Sequence, residues 1–371
     1  MSSKTFQDLI EEVHNKGICQ ECGGCTSFCS ASFESIIGFE DPFSPPIYIN
    51  KDKCLECGIC YHICPQTHIL DNELNTTYRF KDYSSMPIGH YEDIYSCQAT
   101  DEEFLKHGTD GGVVNSIINY LLEKELIDGA IVSRTDAPFL REATFADSKY
   151  DLIKSSGAKL DISPQLDEIQ KFSTYTHSIQ KLNHYKFKKL AVVGTPCQIY
   201  TIRCMQDLGV NPSQNIEICL GLFCFENFLF DKSQIEKFEK DFNIPFEKIV
   251  KLNIKQDLIF KLKDEGEGEK TVHVPFNQLE NYMRPACRAC NDFTNIYSDI
   301  SFGGLGSNDK YTTVITRTKK GTEIFSKVRD AGIIRILDID KPDKNNMIEL
   351  ISQFSYSKIK RKEEFIKNLN K

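Results

Sequence analysis

The chain has 371 residues, of which 40% are hydrophobic, so it is long enough for two or three domains with sizeable cores. Its formal net charge of −8 argues against a nucleic-acid partner, because phosphate binding favours a basic surface. No apolar run approaches the about 18 residues of a membrane span, and the N-terminus does not resemble a signal peptide. Fifteen cysteines without an export signal indicate cluster ligands in a reducing cytoplasm.

Residues 5–16 predict a short amphipathic helix, which leads into two cysteine runs. Each run has the spacing Cys-x2-Cys-x2-Cys-x3-Cys, and Pro65 follows the second. This spacing is typical of two [4Fe–4S] clusters in which the fourth cysteine of each run binds the other cluster. The first cluster is therefore predicted to take Cys19, Cys22, Cys25 and Cys64. The second is predicted to take Cys29, Cys54, Cys57 and Cys60.

Two structural zinc sites are the alternative interpretation of these runs, since zinc also binds four thiolates. Zinc sites usually pair two Cys-x2-Cys knuckles and do not give two interleaved quartets. The spacing therefore favours two cubane clusters. Residues 1–80 are predicted to form a two-cluster ferredoxin domain, and the rest of the chain is expected to supply or to accept electrons.

Beyond residue 90, predicted strands and helices alternate, which indicates an α/β domain over residues 81–345. Strands are expected at 91–98, 130–133, 190–194, 216–223, 299–303, 311–317 and 333–338. Helices are expected at 113–126, 164–186, 226–241 and 320–331, and from the residue after Gln198 to about 208. Residues 247–274 alternate as in a β-hairpin that turns at 265–268, an antiparallel addition to the domain. Two helical stretches end the chain as a tail over 346–371, and its charged residues are expected to be solvated.

A glycine turn, Gly111-Gly112, opens the helix that begins at Val113. A glycine turn at a helix N-terminus presents free N–H groups to an anion such as a pyrophosphate. An ordinary helix start capped by Asp110 explains the same residues equally well.

Two further turns resemble ligand loops. Ser155 and Ser156, with Lys159 nearby, make a candidate phosphate or ribose loop, for which a solvated turn is the alternative. A predicted strand ends at Gly194 and is followed by Thr195 and a helix, which is the layout of α/β cofactor sites at the carboxyl ends of strands.

Four more cysteines lie at predicted loops or strand ends: Cys197, Cys224, Cys287 and Cys290. If they converge, they would make a third [4Fe–4S] site. From spacing alone, scattered thiols with a lone Cys-x2-Cys knuckle are an equally good interpretation. The remaining three cysteines lie within predicted strands and helices and are expected to be small core residues: Cys97, Cys204 and Cys219.

Five motifs occur in one order: Gly111-Gly112-Val113-Val114, Gly194-Thr195-Pro196-Cys197-Gln198, Gly221-Leu222-Phe223-Cys224, Cys287-x2-Cys290-x-Asp292-Phe293 and Asp299-Ile-Ser-Phe-Gly303-Gly-Leu-Gly306. With them, about residues 85–340 resemble the family of beta subunits of coenzyme F420-reducing hydrogenases and F420-dependent dehydrogenases. With the ferredoxin segment in front, the chain is similar to F420H2 dehydrogenase input subunits of methanogens. It also resembles the N-terminal half of F420-dependent sulfite reductases.

The resemblance implies FAD and one [4Fe–4S] cluster in the α/β domain, beside a site for reduced F420. The ligands of this third cluster would be Cys197, Cys224, Cys287 and Cys290. The FAD contacts would be Gly111, Gly112, Val113, Ser155, Ser156, Lys159, Thr195, Pro196, Gln198, Gly303, Gly304 and Gly306. Asp110 stands where the family often has a small neutral residue. Because an acid beside a pyrophosphate is unfavourable, Asp110 is expected to face away or to cap the helix.

The expected function is oxidation of reduced F420, with hydride transfer to FAD and single electrons passing through the three clusters. The acceptor would be a ferredoxin or a larger redox complex, including one docked at a membrane. No catalytic side chain is predicted, and the F420 tail calls for a local basic patch. Three alternatives stay open: an F420-reducing component of a formate dehydrogenase or hydrogenase, a non-enzymatic iron–sulfur relay, and a zinc scaffold.

Overall fold

A computed structural model describes residues 4–32, 36–41, 44–137, 140–158, 189–210, 213–228, 230–263 and 269–369. Within those ranges the helices are α1 (Phe6–Leu9, extended by a π-helical turn at Ile10–His14), α2 (Gly24–Ser32), α3 (Ile59–His62), α4 (Asp71–Thr77), α5 (Glu102–His107), α6 (Val113–Glu123), α7 (Lys149–Lys154), α8 (Pro196–Asp207), α9 (Lys232–Phe242), α10 (Pro285–Arg288), α11 (Lys319–Asp330) and α12 (Lys341–Leu369).

The strands are β1 (Ile37–Gly38), β2 (Ile47–Tyr48), β3 (Asp93–Ala99), β4 (Gly129–Ala137), β5 (Leu140–Ala146), β6 (Leu190–Gly194), β7 (Ile216–Leu222), β8 (Ile249–Ile254), β9 (Asp257–Lys263), β10 (Glu269–Pro275), β11 (Ile300–Gly303), β12 (Thr312–Thr316) and β13 (Ile334–Ile336). The α/β architecture with an N-terminal cluster segment is as expected from the sequence.

The centre of the fold is a mixed eight-stranded sheet in the order β13-β3-β12-β11-β7-β6-β4-β5. The four strands β4, β6, β7 and β11 run parallel, and the pairs on either side of them are antiparallel. Strands β6 and β7 are almost entirely buried, as expected for central strands covered on both faces. Because parallel strands end at one edge of a sheet, the segments after β6, β7 and β11 meet there.

The two faces of this sheet are covered by different parts of the chain. Helices α6 and α11 cover one face. Helix α8 and the N-terminal segment cover the other, where Phe28, Ile63 and Leu74 share a hydrophobic core with Val192 of β6. The cluster segment therefore packs directly on the sheet, and its position relative to the α/β part is fixed by a shared core.

A second, smaller sheet has the antiparallel order β10-β9-β8 and packs with α9 around a core rich in phenylalanine. The predicted hairpin thus supplies two strands of a three-stranded sheet, β9 and β10, and its turn at 265–268 lies outside the described residues. The helix expected over 226–241 begins only at Lys232, where the Asp231 side chain caps it. Before this helix, Phe228 pairs with Met283 in an isolated bridge.

The C-terminal tail differs most from the sequence prediction. The two expected helical stretches form the single helix α12, and the charged residues are not simply solvated, since Lys358 is 1% exposed. Met347 and Ile351 pack beside the large sheet, whereas Phe365 and Ile366 pack on the core of the cluster segment. Helix α12 therefore connects the two parts of the molecule. The helix expected at 164–186 lies outside the described residues.

No helix within the described ranges is both long enough and apolar enough to cross a membrane.

A buried ion pair ties α8 to the centre of the sheet. The guanidinium of Arg203 lies 2.8 Å from the carboxylate of Asp299, and both side chains are less than a tenth exposed. Asp299 also accepts hydrogen bonds from the N–H of Cys219 in β7 and from the hydroxyl of Thr318. Arg203 donates a second bond to the carbonyl of Tyr297. The buried charges of this pair are thus both paired and hydrogen-bonded.

Replacing Asp299 with alanine is expected to lower the free energy of unfolding by about 3–5 kcal/mol, because Arg203 keeps a buried charge without its partner. Asp330, which pairs with Arg329 at the surface, provides the control, since Asp330→Ala should leave stability essentially unchanged. Urea unfolding of anaerobically prepared protein measures both. Equal stability of the two variants would show that the pair does not hold the sheet.

Candidate functional site

The first predicted quartet of cysteines comes together in the fold. Burial raises the pKa of Cys25 well above its usual value, and the neighbouring thiols of Cys19, Cys22 and Cys64 add to the rise. Burial likewise raises the pKa of Cys64, and the thiol of Cys22 contributes. Buried thiolates at such close range are stabilised by metal binding, which removes their mutual repulsion.

The second quartet is equally compact. Burial raises the pKa of Cys60 to about 12, with contributions from Cys57, Cys29 and Cys54. These four residues line one small cavity together with apolar side chains such as Phe28. Cys57 is solvent-exposed, whereas Cys29 and Cys60 are buried. This quartet therefore reaches the protein surface on one side.

The four remaining candidate cysteines also converge. Burial raises the pKa of Cys197, and the thiols of Cys22, Cys290 and Cys224 contribute. Burial likewise raises the pKa of Cys287, with a contribution from Cys290. The sequence left open the alternative that these four thiols are scattered, and their mutual proximity argues against it.

Asn227 provides hydrogen bonds to two of these sulfurs. Its backbone N–H donates to Sγ of Cys287 at 3.3 Å, and its side-chain Nδ2 donates to Sγ of Cys224 at 3.4 Å. Hydrogen bonds to cysteine sulfur are one of the protein's means of setting the potential of an iron–sulfur cluster. The donor set and its surroundings therefore fit a [4Fe–4S] cluster.

Among the described residues, no three His, Cys, Asp or Glu side chains are arranged to share a single metal ion.

The three cysteines assigned to the core are indeed fully buried in it. Cys97, Cys204 and Cys219 each have 0% exposure and pack in the two hydrophobic cores of the large sheet. This confirms their prediction as small core residues.

The quartets lie in series. Sγ of Cys22 lies 3.7 Å from the hydroxyl of Thr201, which donates a hydrogen bond to the carbonyl of Cys197 at 3.0 Å. The first quartet is thus next to the third. Cys60 of the second quartet in turn interacts electrostatically with Cys25 and Cys64 of the first. The order is therefore third, first, second, with the second at the surface.

Two buried contacts hold the first quartet against the third. The side chain of Gln20 donates to the carbonyl of Ala286 at 2.8 Å. Glu21 forms an ion pair with Arg284, and both side chains are less than a tenth exposed. These residues flank the cysteine loops of the two quartets, so they fix the distance between the loops.

A cleft lies at the carboxyl edge of the parallel strands and contains about 1520 Å³ of atom-free space, open mouth included. Thr195, which follows β6, and Cys224, which follows β7, both line it. Gly303 at the end of β11 lines a third side. Ligand sites of open α/β sheets occur at this edge. Cys224 therefore belongs both to the cleft wall and to the third quartet.

The predicted flavin contacts divide into two groups. Seven of them line the cleft: Gly112, Val113, Ser155, Ser156, Thr195, Gly303 and Gly304. Lys159 lies outside the described residues. The other four do not line the cleft: Gly111, Pro196, Gln198 and Gly306.

The residues of the second group have structural roles. The N–H of Gly111 donates to the hydroxyl of Thr312, and a Cβ there would clash with a backbone carbonyl. Gln198 forms a capping box at the start of α8, whose first residue is Pro196. Gly306 has a positive φ and packs against α12. The motif residues thus shape the cleft even where they do not face it.

The floor of the cleft depends on glycine at two adjacent positions. A Cβ at Gly303 would overlap the ring of Phe223, and one at Gly304 would clash with the carboxylate of Asp110 and the carbonyl of Ile254. Glycine at both positions therefore lets these groups of the protein approach the backbone closely. The apolar walls make the cleft a suitable site for a flavin.

Asp110 does not behave as expected. The N-cap of α6 is Gly112, with no side-chain capping bond, and Asp110 lines the cleft beside Gly304. Burial raises the pKa of Asp110 to about 6, although Lys255 and Lys251 oppose the rise. The expectation that Asp110 caps the helix is therefore wrong, and its orientation relative to a pyrophosphate stays a prediction. Its carboxyl is a titratable group in the cleft wall.

Several cleft residues were not identified from the sequence. Phenylalanine side chains supply much of the wall: Phe223, Phe225, Phe276, Phe293 and Phe354. Asn115, Ser133, Glu226, Asn227 and Lys255 supply polar groups. The signal available in the sequence was the run Phe-Cys-Phe-Glu-Asn directly after β7, since residues at that strand end face the ligand edge.

Comparison with known proteins agrees with this geometry. The family model for the N-terminal part of the coenzyme F420 hydrogenase/dehydrogenase beta subunit matches residues 94–170, and the model for its C-terminal part matches residues 187–342. A "4Fe-4S dicluster domain" model matches residues 18–70.

Two curated relatives and one solved structure extend the likeness. Coenzyme F420-dependent sulfite reductase of Methanocaldococcus jannaschii is 31% identical over 91% of this chain, which spans 50% of that protein. One of the F(420)H(2) dehydrogenase subunits of Methanosarcina mazei is 26% identical over 90% of this chain and 88% of its own length. A chain of the F420-reducing [NiFe] hydrogenase complex from Methanosarcina barkeri superposes with a TM-score of 0.65 at 29% identity, covering 76% of this chain and 93% of that one.

Removing the charge of Asp110 is expected to strengthen flavin binding. Above its pKa of about 6 the carboxylate repels an anionic ligand, so the affinity of the native protein for FAD should fall as the pH rises from about 5.5 to about 8. Asp110→Asn should bind FAD on the order of tenfold more tightly at the upper end of this range and lose the pH dependence. Flavin fluorescence titrations of deflavinated protein measure both.

Asp330→Asn, a surface change, is the control and should keep the native pH profile. An Asp110→Asn profile identical to the native one would place the pyrophosphate of the flavin away from this wall.

Proposed function

The chain belongs to the family of coenzyme F420 hydrogenase/dehydrogenase beta subunits, and we propose that it oxidises reduced F420 and delivers single electrons to a redox partner. Its relatives are components of F420-dependent oxidoreductases, and its N-terminal segment is a 4Fe–4S dicluster domain. The proposed cofactors are one FAD in the cleft and three [4Fe–4S] clusters on the three quartets. The proposed compartment is a reducing one such as the cytoplasm.

One observation carries this proposal. Cys224 lines the cleft and also lies within the third quartet, so a ligand in the cleft would have a cluster site as its immediate neighbour. When bound, FAD would accept a hydride and release electrons singly, and the clusters would carry them. Between the cleft and the protein surface, the third, first and second quartets follow one another, and the second includes the exposed Cys57.

The side chains of the cleft have binding and shielding roles in this proposal. The phenylalanine walls would exclude water from a bound ring system. Lys255 is a cation in the cleft wall, held 2.9 Å from the carboxylate of Asp309. Among the residues that the structure describes, Lys255 is the one that we assign to binding the anionic tail of F420.

The second quartet is the proposed exit for electrons. Leu55, which lines the same small cavity as Cys57, is 65% exposed. Ile47 in β2 and Ile49 just after it are 40% and 54% exposed, and β2 pairs with β1, whose Ile37 lines that cavity. A protein that carries single electrons must bring its own centre close to this quartet, and such transient interfaces are small and partly apolar. The proposed occupant of this surface is therefore an iron–sulfur protein.

The cofactor content gives the first test. Anaerobically prepared protein is expected to contain about twelve iron atoms and one FAD per chain, four irons for each cubane. It should oxidise reduced F420 with a viologen dye as acceptor. Full flavin and iron without any turnover would rule the proposal out, and co-purification with a large catalytic component of a hydrogenase or formate dehydrogenase would favour F420 reduction instead.

The third cluster can be tested separately. Cys224→Ser is expected to reduce the iron content by about four atoms per chain and to abolish dye reduction, since it removes a ligand next to the cleft. Cys219→Ala alters a fully buried cysteine of the core and is expected to keep all the iron. Iron assays and the visible spectra of both variants provide the measurement. Equal iron loss in the two would mean that misfolding, not ligation, is responsible.

The exit surface is tested with two matched variants. Ile49→Glu is expected to lower kcat/KM for a two-cluster ferredoxin as acceptor about tenfold, because it places a charge in the apolar surface. Activity with the small viologen dye should not change. Val250→Glu alters a similarly exposed aliphatic residue, 52% exposed, on β8 and should affect neither acceptor. A loss with both acceptors, or in both variants, would argue against this exit.

A further inference from the structure

Three cations of helix α12 face the third quartet. Lys358, Arg361 and Lys362 are spaced by three and four residues, which places them on one side of the helix. Each has hydrogen-bond partners from other segments of the chain. A run of lysine and arginine near a chain end is usually solvated, so the sequence pattern does not indicate this role.

Lys358 is the most deeply buried of the three, with 1% exposure. Its Nζ donates to the backbone carbonyl of Cys224, and to that of Asp292 at 2.7 Å. The thiols of Cys290, Cys224 and Cys287 are the groups whose charge would favour this ammonium most. Lys358 therefore places one positive charge beside three of the four proposed ligands.

The other two cations also lie near the quartet. Arg361 forms an ion pair with Glu226 and stacks over the ring of Phe225 at 4.7 Å. Lys362 lies 3.1 Å from Nε2 of His68, and burial lowers the pKa of Lys362 although the thiol of Cys290 opposes the change.

Asp292, one of the carboxyl groups that interact electrostatically with Lys358, is hydrogen-bonded by other donors. Asp292 accepts hydrogen bonds from the backbone N–H groups of Asn295, at 2.8 Å, and Ile296, at 3.0 Å. Both acceptors of the Lys358 ammonium are carbonyl oxygens. Hydrogen bonding thus leaves its net charge in place beside the quartet.

We propose that Lys358 is a positioning residue that holds the Cys224 loop and raises the reduction potential of the third cluster. This inference rests on the proposed function. One-electron reduction adds one negative charge to the cluster, and no bond forms or breaks in that step; reduced F420 would supply two electrons as a hydride to FAD, and FAD would pass them on one at a time. A fixed cation stabilises the reduced form more than the oxidised form, and burial strengthens the effect. The cluster nearest the cleft becomes the favoured first electron acceptor.

The test compares three variants of helix α12. Lys358→Met keeps most of the side-chain volume and removes the charge, Lys358→Arg keeps the charge, and Lys360→Met alters a neighbouring lysine whose side chain is 77% exposed. The readout is the midpoint potential of the third cluster in an EPR-monitored titration with dithionite. The signal that is missing from Cys224→Ser identifies that cluster.

Lys358→Met is expected to shift the midpoint potential of the third cluster to lower values. Lys358→Arg is expected to keep this potential close to the native value, and Lys360→Met is expected to leave it unchanged. An unchanged potential in Lys358→Met, or an equal shift in Lys360→Met, would overturn the proposal. If Lys358→Met fails to retain the third cluster, Lys358→Arg decides: a native potential supports the charge, and a potential well below native overturns it.

Dithionite reduces the clusters without F420, so this result is separate from the proposed function. A potential shift without F420 oxidation would leave the role of Lys358 intact and reject the substrate. F420 oxidation by the native protein, with no potential shift in Lys358→Met, would support the substrate and reject the role of Lys358.

Discussion

The close succession of three partly buried thiol quartets is the constraint on which the rest of this structure depends. Like charges at short range are tolerated only where metal, cations or hydrogen bonds offset them. The chain provides all three kinds of compensation: the cysteine spacing suits cubanes, Asn227 donates to two sulfurs, and α12 inserts Lys358. The contacts between the cluster segment and the sheet serve this arrangement.

The position of the cleft follows from the topology of the sheet. Because β6, β7 and β11 end at one edge, their loops supply both the glycine floor of the cleft and ligands of the third quartet. The Glu21–Arg284 ion pair and the bond from Gln20 to Ala286 then hold the first quartet against the third. A site for a planar ligand and a series of cluster sites are thereby built around one set of strand ends. The chemistry proposed for the protein requires this proximity.

The sequence was most informative where the chemistry is local. The two ferredoxin quartets follow from ligand spacing within one stretch of chain, and the central strands follow from their hydrophobic runs. The third quartet combines residues from Cys197 to Cys290, so spacing alone left it undecided, and the family resemblance was needed to propose it. Gly111, Gln198 and Gly306 were expected at the ligand because they belong to motifs, yet their contacts are internal.

The C-terminal helix and Asp110 show what a sequence pattern cannot contain. The carbonyl partners of Lys358 belong to residues 66 and 134 positions earlier in the chain, so no local rule identifies them. Asp110 could be judged only as a helix cap or an outward-facing acid, because its burial arises from packing against the Gly303–Gly304 turn. In both cases tertiary contacts decide the role of a charged residue that would otherwise be solvated.

The order in which the clusters are reduced is the most direct test of the proposed electron path. Oxidised holo-protein is mixed anaerobically with reduced F420, frozen at increasing times and examined by EPR. We predict that the signal lost in Cys224→Ser appears first and that the signals of the two N-terminal clusters follow. Appearance of the N-terminal signals while the third cluster is still oxidised, or no cluster reduction at all, would contradict this path.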